Sequence, residues 1–504
     1  MKWLRSNGLS LSLGCCMAFA CILFVSTQNS LSEGSMPIRG RMLFSNEDVV
    51  INPDTGHKNL FPLNGTDYLA TCLVVVGLMI AASGGIGGGG LLVPIFIIIW
   101  EFKPIYAIAL SNFTILGASI MNMLMNLSKR HPAVDRPLID WDLIVMMEPV
   151  TMAGAIFGAY LGKLLPEVFL VTSLVLLLGY TSKTTLEKGI SLWNKETQAQ
   201  LEESNSELAK AAASKEEQTL KDEQVSLLGP GDRDCGAQSG IEMGGDTELG
   251  ESATDTEKAN ATALAELLDA ERSTPLEPVL WMNGMFVVVI ILNMLKGGNG
   301  GNAFPSPVGI ECGSVSYWMV TGSIFVFVLG VSWVMREKMV AKWRLKKQLR
   351  YKYQTGDVEW NEYNTIKYPV LCVFAGLCAG MFGIGGGIVK GPLMLEMGVS
   401  PLVAAATVAV MIFFTSIAAT SSYVAFGILI WDYGWYLFVL GLGSTLVGQF
   451  GVSYLVKKYK RVSLVSLSIG AVVCISTVLM AFQSVYTLLV DPKEGESTSS
   501  VCGN

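Results

Sequence analysis

The feature that most constrains this chain is a glycine cluster written twice. The string GIGGG occupies 85–89 and again 383–387, and each copy is followed at the same distance by a proline, Pro94 and Pro392. A further proline closes each copy, Pro104 and Pro401, within one residue of a common register. Such a match across some three hundred positions implies two copies of one structural unit. Glycine runs admit backbone conformations closed to other residues, so each copy marks a turn.

Long uncharged stretches surround the copies, at 104–127, 143–162, 168–180, 278–295, 317–335, 402–430, 435–456 and 463–482. Most reach the ~20 residues needed to cross a bilayer core, and the short one at 168–180 extends toward Leu186. Of 504 residues, 51% are hydrophobic and only 15% charged, with a mean hydropathy of +0.47. A soluble protein of this size cannot hide that much apolar surface. The chain therefore reads as an all-α polytopic membrane protein.

The net charge of −7 is unevenly placed. Residues 195–275 hold 19 acidic and 7 basic side chains, and the rest of the chain is net positive at +5. That segment is rich in Glu, Ser, Ala and Gly and reads as a disordered insert (191–275) separating two membrane halves. A helical stretch at 198–223 and modifiable Ser and Thr residues fit within it.

Residues 1–27 have the layout of a signal peptide, cleaved or kept as an anchor, so residues 28–66 face away from the cytosol. Asn64, in Asn64-Gly65-Thr66, is then a glycosylation acceptor. The ten cysteines show no metal or redox spacing. Cys72, Cys372, Cys378 and Cys474 fall in apolar segments, and Cys312 and Cys502 can pair in the outer compartment. His57 and His131 fall in loops, so no metal, cofactor or catalytic constellation is expected.

Positive charge marks cytosolic loops. The run 336–352 carries eight Lys or Arg against Glu337 alone, "KKYKR" occupies 457–461, and Lys129, Arg130 and Arg136 form a third group. The stretch 297–316 has no basic residue and reads as an outer loop. Counting crossings from these anchors returns each glycine segment to its starting side, with Asp67 and Glu101 outside and Ser400 inside. Residues 68–82 would make ~22 Å of helix and 91–100 ~15 Å, against a ~30 Å hydrocarbon core. Each copy then reads as a hairpin of two short helices with glycines at its tip, followed by three transmembrane helices. The copies form inverted-topology repeats, 67–190 and 367–488, joined by two linking helices in 276–336 and a basic loop, 337–366. Residues 489–504 form an outer tail.

Two such tips approach the midplane from opposite faces. Irregular backbone at that depth must be buried in protein or line a cavity. Exposed amides and the N-terminal ends of the following half-helices suit an anion. The candidate residues are Gly85, Gly87, Gly88 and Gly89 with Gly383, Gly385, Gly386 and Gly387. Close helix packing competes as an explanation for some of them. The GxGxxG match at Gly85, Gly87 and Gly90 lacks the strand and the acid of a dinucleotide site, and no GK[ST] follows. Lys390 sits beyond the second tip, where the first copy has Leu92; it is either a substrate group or snorkels, or pairs with Glu396. Glu148 either carries a coupling proton or is a partly wet residue near the cytosol. Ser111, Asn112 and Thr114, with Thr407 and Thr415, either donate to an oxyanion or bond their own helices. Asn283 and Asn293 read as glue between helices.

At these residues the chain resembles the sulfite exporter TauE/SafE family: the paired GIGGG motifs, their prolines, and the polar positions on the helices after them. "PLIDWDLIVMMEP" and "ISLWNKET" resemble its eukaryotic branch, including plant members. The resemblance spans roughly 67–193 and 278–482. It implies a carrier of small anions (sulfite, sulfonates or related oxyanions). Two facing tips that hold an anion between them suit alternating access, and the leader places the chain in the secretory pathway, in the plasma membrane or an endomembrane. Its matched positions are Gly85, Gly87, Gly88, Gly89 and Pro94, with Gly383, Gly385, Gly386, Gly387 and Pro392; Lys390 departs from the pattern. The rival reading is a membrane-anchored scaffold recruiting protein partners through the acidic insert. No nucleic-acid partner and no enzymatic role are expected.

Overall fold

The computed structural model describes residues 38–40, 49–52, 57–83, 87–131, 134–227, 255–298, 304–354, 356–459 and 463–490. The leader at 1–27, Gly85, Cys502 and the tail from 491 lie outside the described residues. A small antiparallel meander, β1 (Ile38–Gly40), β2 (Val49–Asn52) and β3 (His57–Lys58), precedes the helices. Ile38 pairs with Ile51, and Ile51 with Lys58.

Among the described residues, every element after it is a helix. The first half comprises α1 (Gly65–Ser83), α2 (Gly89–Ile98), α3 (Pro104–Leu127), α4 (Trp141–Leu164) and α5 (Glu167–Leu227). Between the halves stand α6 (Asp255–Glu271), α7 (Leu276–Leu295) and α8 (Val315–Gln348). The second half repeats the order as α9 (Asn364–Phe382), α10 (Gly387–Glu396), α11 (Pro401–Ala425), α12 (Trp431–Tyr459) and α13 (Ser463–Val490). Pro104 and Pro401 open α3 and α11 after extended residues, where a missing N–H costs nothing. Asp140 caps α4 by accepting from the backbone amides of Asp142 and Leu143.

Eight of these helices (α1, α3, α4, α5, α7, α8, α9 and α11) are long and apolar enough to cross a membrane. At 29 and 28 residues, α12 and α13 also have the length. Val326, Leu329, Trp333, Phe374 and Phe482 are exposed on the outside of the bundle, where lipid is their natural solvent. The chain is an integral, multi-pass membrane protein with α3, α4 and α11 at its centre.

The packing is reciprocal. As α9 lies on α4, so α1 lies on α12; α12 meets α3 as α4 meets α11; α10 touches α5 as α2 touches α13. The pairs α3–α11 and α5–α13 close the pattern, which is what a two-fold relation between α1–α5 and α9–α13 produces. The linking helices α7 and α8 lie outside it, against α4 and, for α7, α11.

Glycines set the closest approach, between α4 and α9. A Cβ on Gly154 would lie 2.5 Å from the Val373 carbonyl oxygen, and one on Gly376 or Gly380 would overlap the carbonyls of Thr151 or Ala155. Small residues four apart on both helices let the backbones touch, a common seam in lipid.

One sequence expectation changes. The long arms α1 and α9 each have 19 residues, or ~28 Å, so neither is short of the hydrocarbon core. Asp67, in the first turn of α1, is buried and accepts from the Trp100 indole at 2.9 Å. That bond nevertheless brings the end of the 10-residue α2 back to the start of α1. Gly88 lies beside Leu78 and Ala81, so the hairpin closes on itself. In the second copy Gly356, before α9, lies against the Ser400 amide, after α10.

Part of the acidic insert is helical, including the stretch expected at 198–223. Over 191–227 it continues α5 as one 61-residue helix, and α6 follows, because Ala, Glu, Lys and Gln are strong helix formers. Residues 228–254 lie outside the described set. Glu271, the last residue of α6, bonds Lys346 at 2.7 Å and Tyr351 at 2.8 Å.

The hairpins enter the bundle from opposite ends. Arg136 pairs with Asp357, and Lys342 with Asp142 at 2.5 Å, tying the base of the second hairpin to the α3–α4 loop and the foot of α8. We term this the basic end. The base of the first hairpin packs instead on the start of α12, with Trp100 and Phe102 edge-on to Tyr433 at 5.5 and 5.0 Å.

Candidate functional site between the glycine tips

The two tips meet in the centre. A Cβ added to Gly89 would overlap Ile384 Cα and lie 2.7 Å from the Gly383 carbonyl oxygen, so peptide touches peptide. Gly87 and Gly385 are flanked by the same two side chains, Ile115 of α3 and Ile412 of α11. Gly88 and Gly386 cap α2 and α10 in matching left-handed conformations, φ 74° and 73°. No side chain larger than hydrogen adopts that geometry cheaply, which explains the paired motif. Gly387 is the buried first residue of α10. In this closed arrangement the glycines serve the close packing weighed from sequence, and no gap separates the tips at Gly89.

Beside the second tip lies a buried charge pair. Lys390 Nζ, one helical turn from Gly386, donates to Glu148 Oε2 at 2.7 Å and to Thr415 Oγ1 at 2.7 Å. Thr415 in turn donates to Glu148 Oε1 in a short bond. All three side chains are fully enclosed. Lys390 thus neither snorkels nor pairs with Glu396, and Glu148 is not a partly wet residue: α4 and α10 bring the two together across 242 positions. Breaking such a pair from one side leaves a bare charge in a dry interior.

The other expected residues divide. Ser111 Oγ donates to the Gly383 carbonyl at 2.7 Å and holds the tip in place. Asn112 reaches the Ala379 carbonyl and the Tyr423 hydroxyl, both at 3.4 Å. Thr114 bonds the Leu110 carbonyl of its own helix. Thr407 accepts from the Asp140 amide, nearer the basic end than the tips. Asn64, half-buried, lends its backbone amide to Asp67. Asn283 bonds its own helix, whereas Asn293 joins α7 to Ser421 and Ser422 of α11.

Sequence reasoning missed three features here. Tyr423 donates to the Gly380 carbonyl beneath the second tip. The buried hydroxyls of Ser416 and Thr420, and Asn112 Oδ1, have no hydrogen-bond partner among the described residues. The signal was a polar run, Thr415-Ser416 and Thr420-Ser421-Ser422-Tyr423, inside an otherwise apolar helix.

Comparison with known proteins gives a consistent result. The family model described as "Sulfite exporter TauE/SafE" matches residues 69–214 and 368–499, which are the two halves. Sulfite exporter TauE/SafE family protein 5 of Arabidopsis thaliana is 26% identical over 432 residues, covering 83% of each chain. Family protein 3 of the same plant is 28% identical over 427 residues, 84% of this chain and 80% of the relative. No solved structure matches the chain.

Proposed function

The chain belongs to the sulfite exporter TauE/SafE family, and from that premise we propose that it carries small oxyanions, sulfite or organic sulfonates, across a membrane by alternating access. The observation that carries the reading is the meeting of two glycine-tipped hairpins from opposite ends of the bundle, with a lysine–glutamate pair beside the contact. Separation of the tips opens backbone amides at the starts of α2 and α10, where helix dipoles favour negative charge. Gly85, Gly87, Gly88, Gly89, Gly383, Gly385, Gly386 and Gly387 form that cradle.

Lys390 supplies the fixed positive charge. The arriving oxyanion takes its ammonium and the Thr415 hydroxyl, and Ser416, Thr420 and Asn112 offer further polar contacts nearby. Glu148, relieved of Lys390, is left as a lone carboxylate in a dry site and takes up a proton. Anion and proton then move together, and departure of the anion restores the pair. The basic end faces the cytosol by the distribution of Lys and Arg, and the N-terminal segment faces the opposite side.

Uptake of radiolabelled sulfite by the full chain in liposomes tests this. The double variant E148Q/K390M keeps the buried site neutral and is expected to fold but to lose transport at least tenfold. Wild-type uptake by that variant, and by G87L and G386L, would remove the site assignment.

A further inference from the structure

Four charged side chains are fully enclosed among the described residues: Asp67, Glu148, Lys296 and Lys390. Glu148 and Lys390 neutralise one another. Asp67 accepts from the Trp100 indole and the Asn64 amide. Lys296 stands apart: its ammonium has no hydrogen-bond acceptor among the described residues and forms no ion pair with them.

Lys296 follows the last residue of α7, at the end of the bundle away from the basic loops. Its side chain enters the junction of α4, α7, α8 and the foot of α11. Nζ sits 4.5 Å from the ring centre of Tyr160 and 6.0 Å from that of Tyr317. The Tyr160 ring stands edge-on to Phe426 at 4.9 Å, and Lys163 Nζ lies 4.9 Å over that same Phe426. Two ammonium groups therefore flank one pair of rings. The hydroxyls of Tyr160 and Tyr317 bond each other at 2.8 Å, and the Tyr160 hydroxyl also lies 3.5 Å from Thr321 Oγ1, whose own proton goes to the Tyr317 carbonyl.

Ring faces attract a cation but accept none of its three N–H bonds in the manner of an oxygen, and they return less than the hydration lost on burial. Three of the basic groups at the other end have a carboxylate: Arg136 has Asp357, Lys342 has Asp142, Lys346 has Glu271. What Lys296 lacks is an anion. We propose that the junction of α4, α7, α8 and α11 is a second anion site, in which the Lys296 ammonium binds a small oxyanion at the end where the first hairpin enters. The nature of the ligand rests on the carrier reading, whereas the site rests on Lys296 itself. Such a site gathers anions beside the central seam before the tips part.

Equilibrium binding of radiolabelled sulfite to the purified full chain tests it, with ethanesulfonate as competitor. Wild type is expected to hold two sulfites per chain, K296M one, K296R two, and E148Q/K390M one. K296M removes an unmatched buried charge and is expected to melt no lower than wild type; K296Q must behave as K296M does. Two sulfites on both K296M and K296Q, with affinities within twofold of wild type, would overturn the second site and leave the central one standing. Loss in K296M alone, with E148Q/K390M unaffected, would support the second site and remove the central one. A wild type that holds neither sulfite nor ethanesulfonate overturns both.

Discussion

The two hairpins share a backbone and differ in chemistry. Both turn on left-handed glycines of nearly equal φ, both pair a 19-residue arm with a 10-residue arm, and both rest on Ile115 and Ile412. Yet the first places Leu92 where the second places Lys390. The long arms are also held differently: α9 is seamed to α4 by glycines on both sides, while α1 meets α12 with Gly448 against Met79. Duplication preserved the geometry that lets the tips meet and left the surroundings free to diverge. The second hairpin is fastened to the other half by a buried charge pair and glycines on both sides of a seam; the first is held by one glycine contact and by neutral hydrogen bonds, Thr71 with Tyr436 at 2.9 Å and Gln449 to the Ala82 carbonyl at 2.7 Å.

The most severe way to break this contrast is K390M. Leaving Glu148 buried and unpaired is expected to cost about 3–5 kcal/mol, against less than ~1.5 kcal/mol for L92M. Thermal unfolding of the full chain in detergent reads both, and E148Q/K390M is expected to recover most of the loss. Equal melting temperatures for K390M and L92M would erase the distinction.

Next in size is the seam. G380A forces α9 off α4 and is expected to cost roughly 3 kcal/mol, whereas G448A, whose Cβ would lie 2.6 Å from the Met79 carbonyl oxygen, costs about 1–2 kcal/mol. The same unfolding assay ranks them, and a reversed order would show the first arm to be the tighter. Smallest, and a test of what is shared, are G88A and G386A. Each places a side chain at positive φ, so each is expected to cost about 1 kcal/mol, and the two values should agree. A large inequality would mean that the tips are not conformational twins.

Much of this architecture was legible from residue patterns. The duplicated motif, the prolines and the basic runs require only local sequence, and they gave the order of the elements and the hairpins. Lys390 and Glu148 each stood out as a charge in an apolar stretch. Their partnership did not, because nothing local links positions 148 and 390. The spacing of Gly154 and Gly158, and of Gly376 and Gly380, was visible, but which helices it joins depends on tertiary packing. The burial of Asp67 was not legible either, because the Trp100 indole that bonds it lies 33 positions on. Lys296 was not singled out at all, since only the fold encloses it.

The peptide-to-peptide contact at Gly89 carries a consequence for how relatives diversify. A methyl group there would collide with the chain opposite, so the innermost turn offers mutation nothing to vary. Under the carrier reading, any change of cargo within the lineage has to be inscribed on the neighbouring helices, around 111–115 and 412–420. Comparing relatives that handle different solutes should therefore find invariant glycines framed by variable walls.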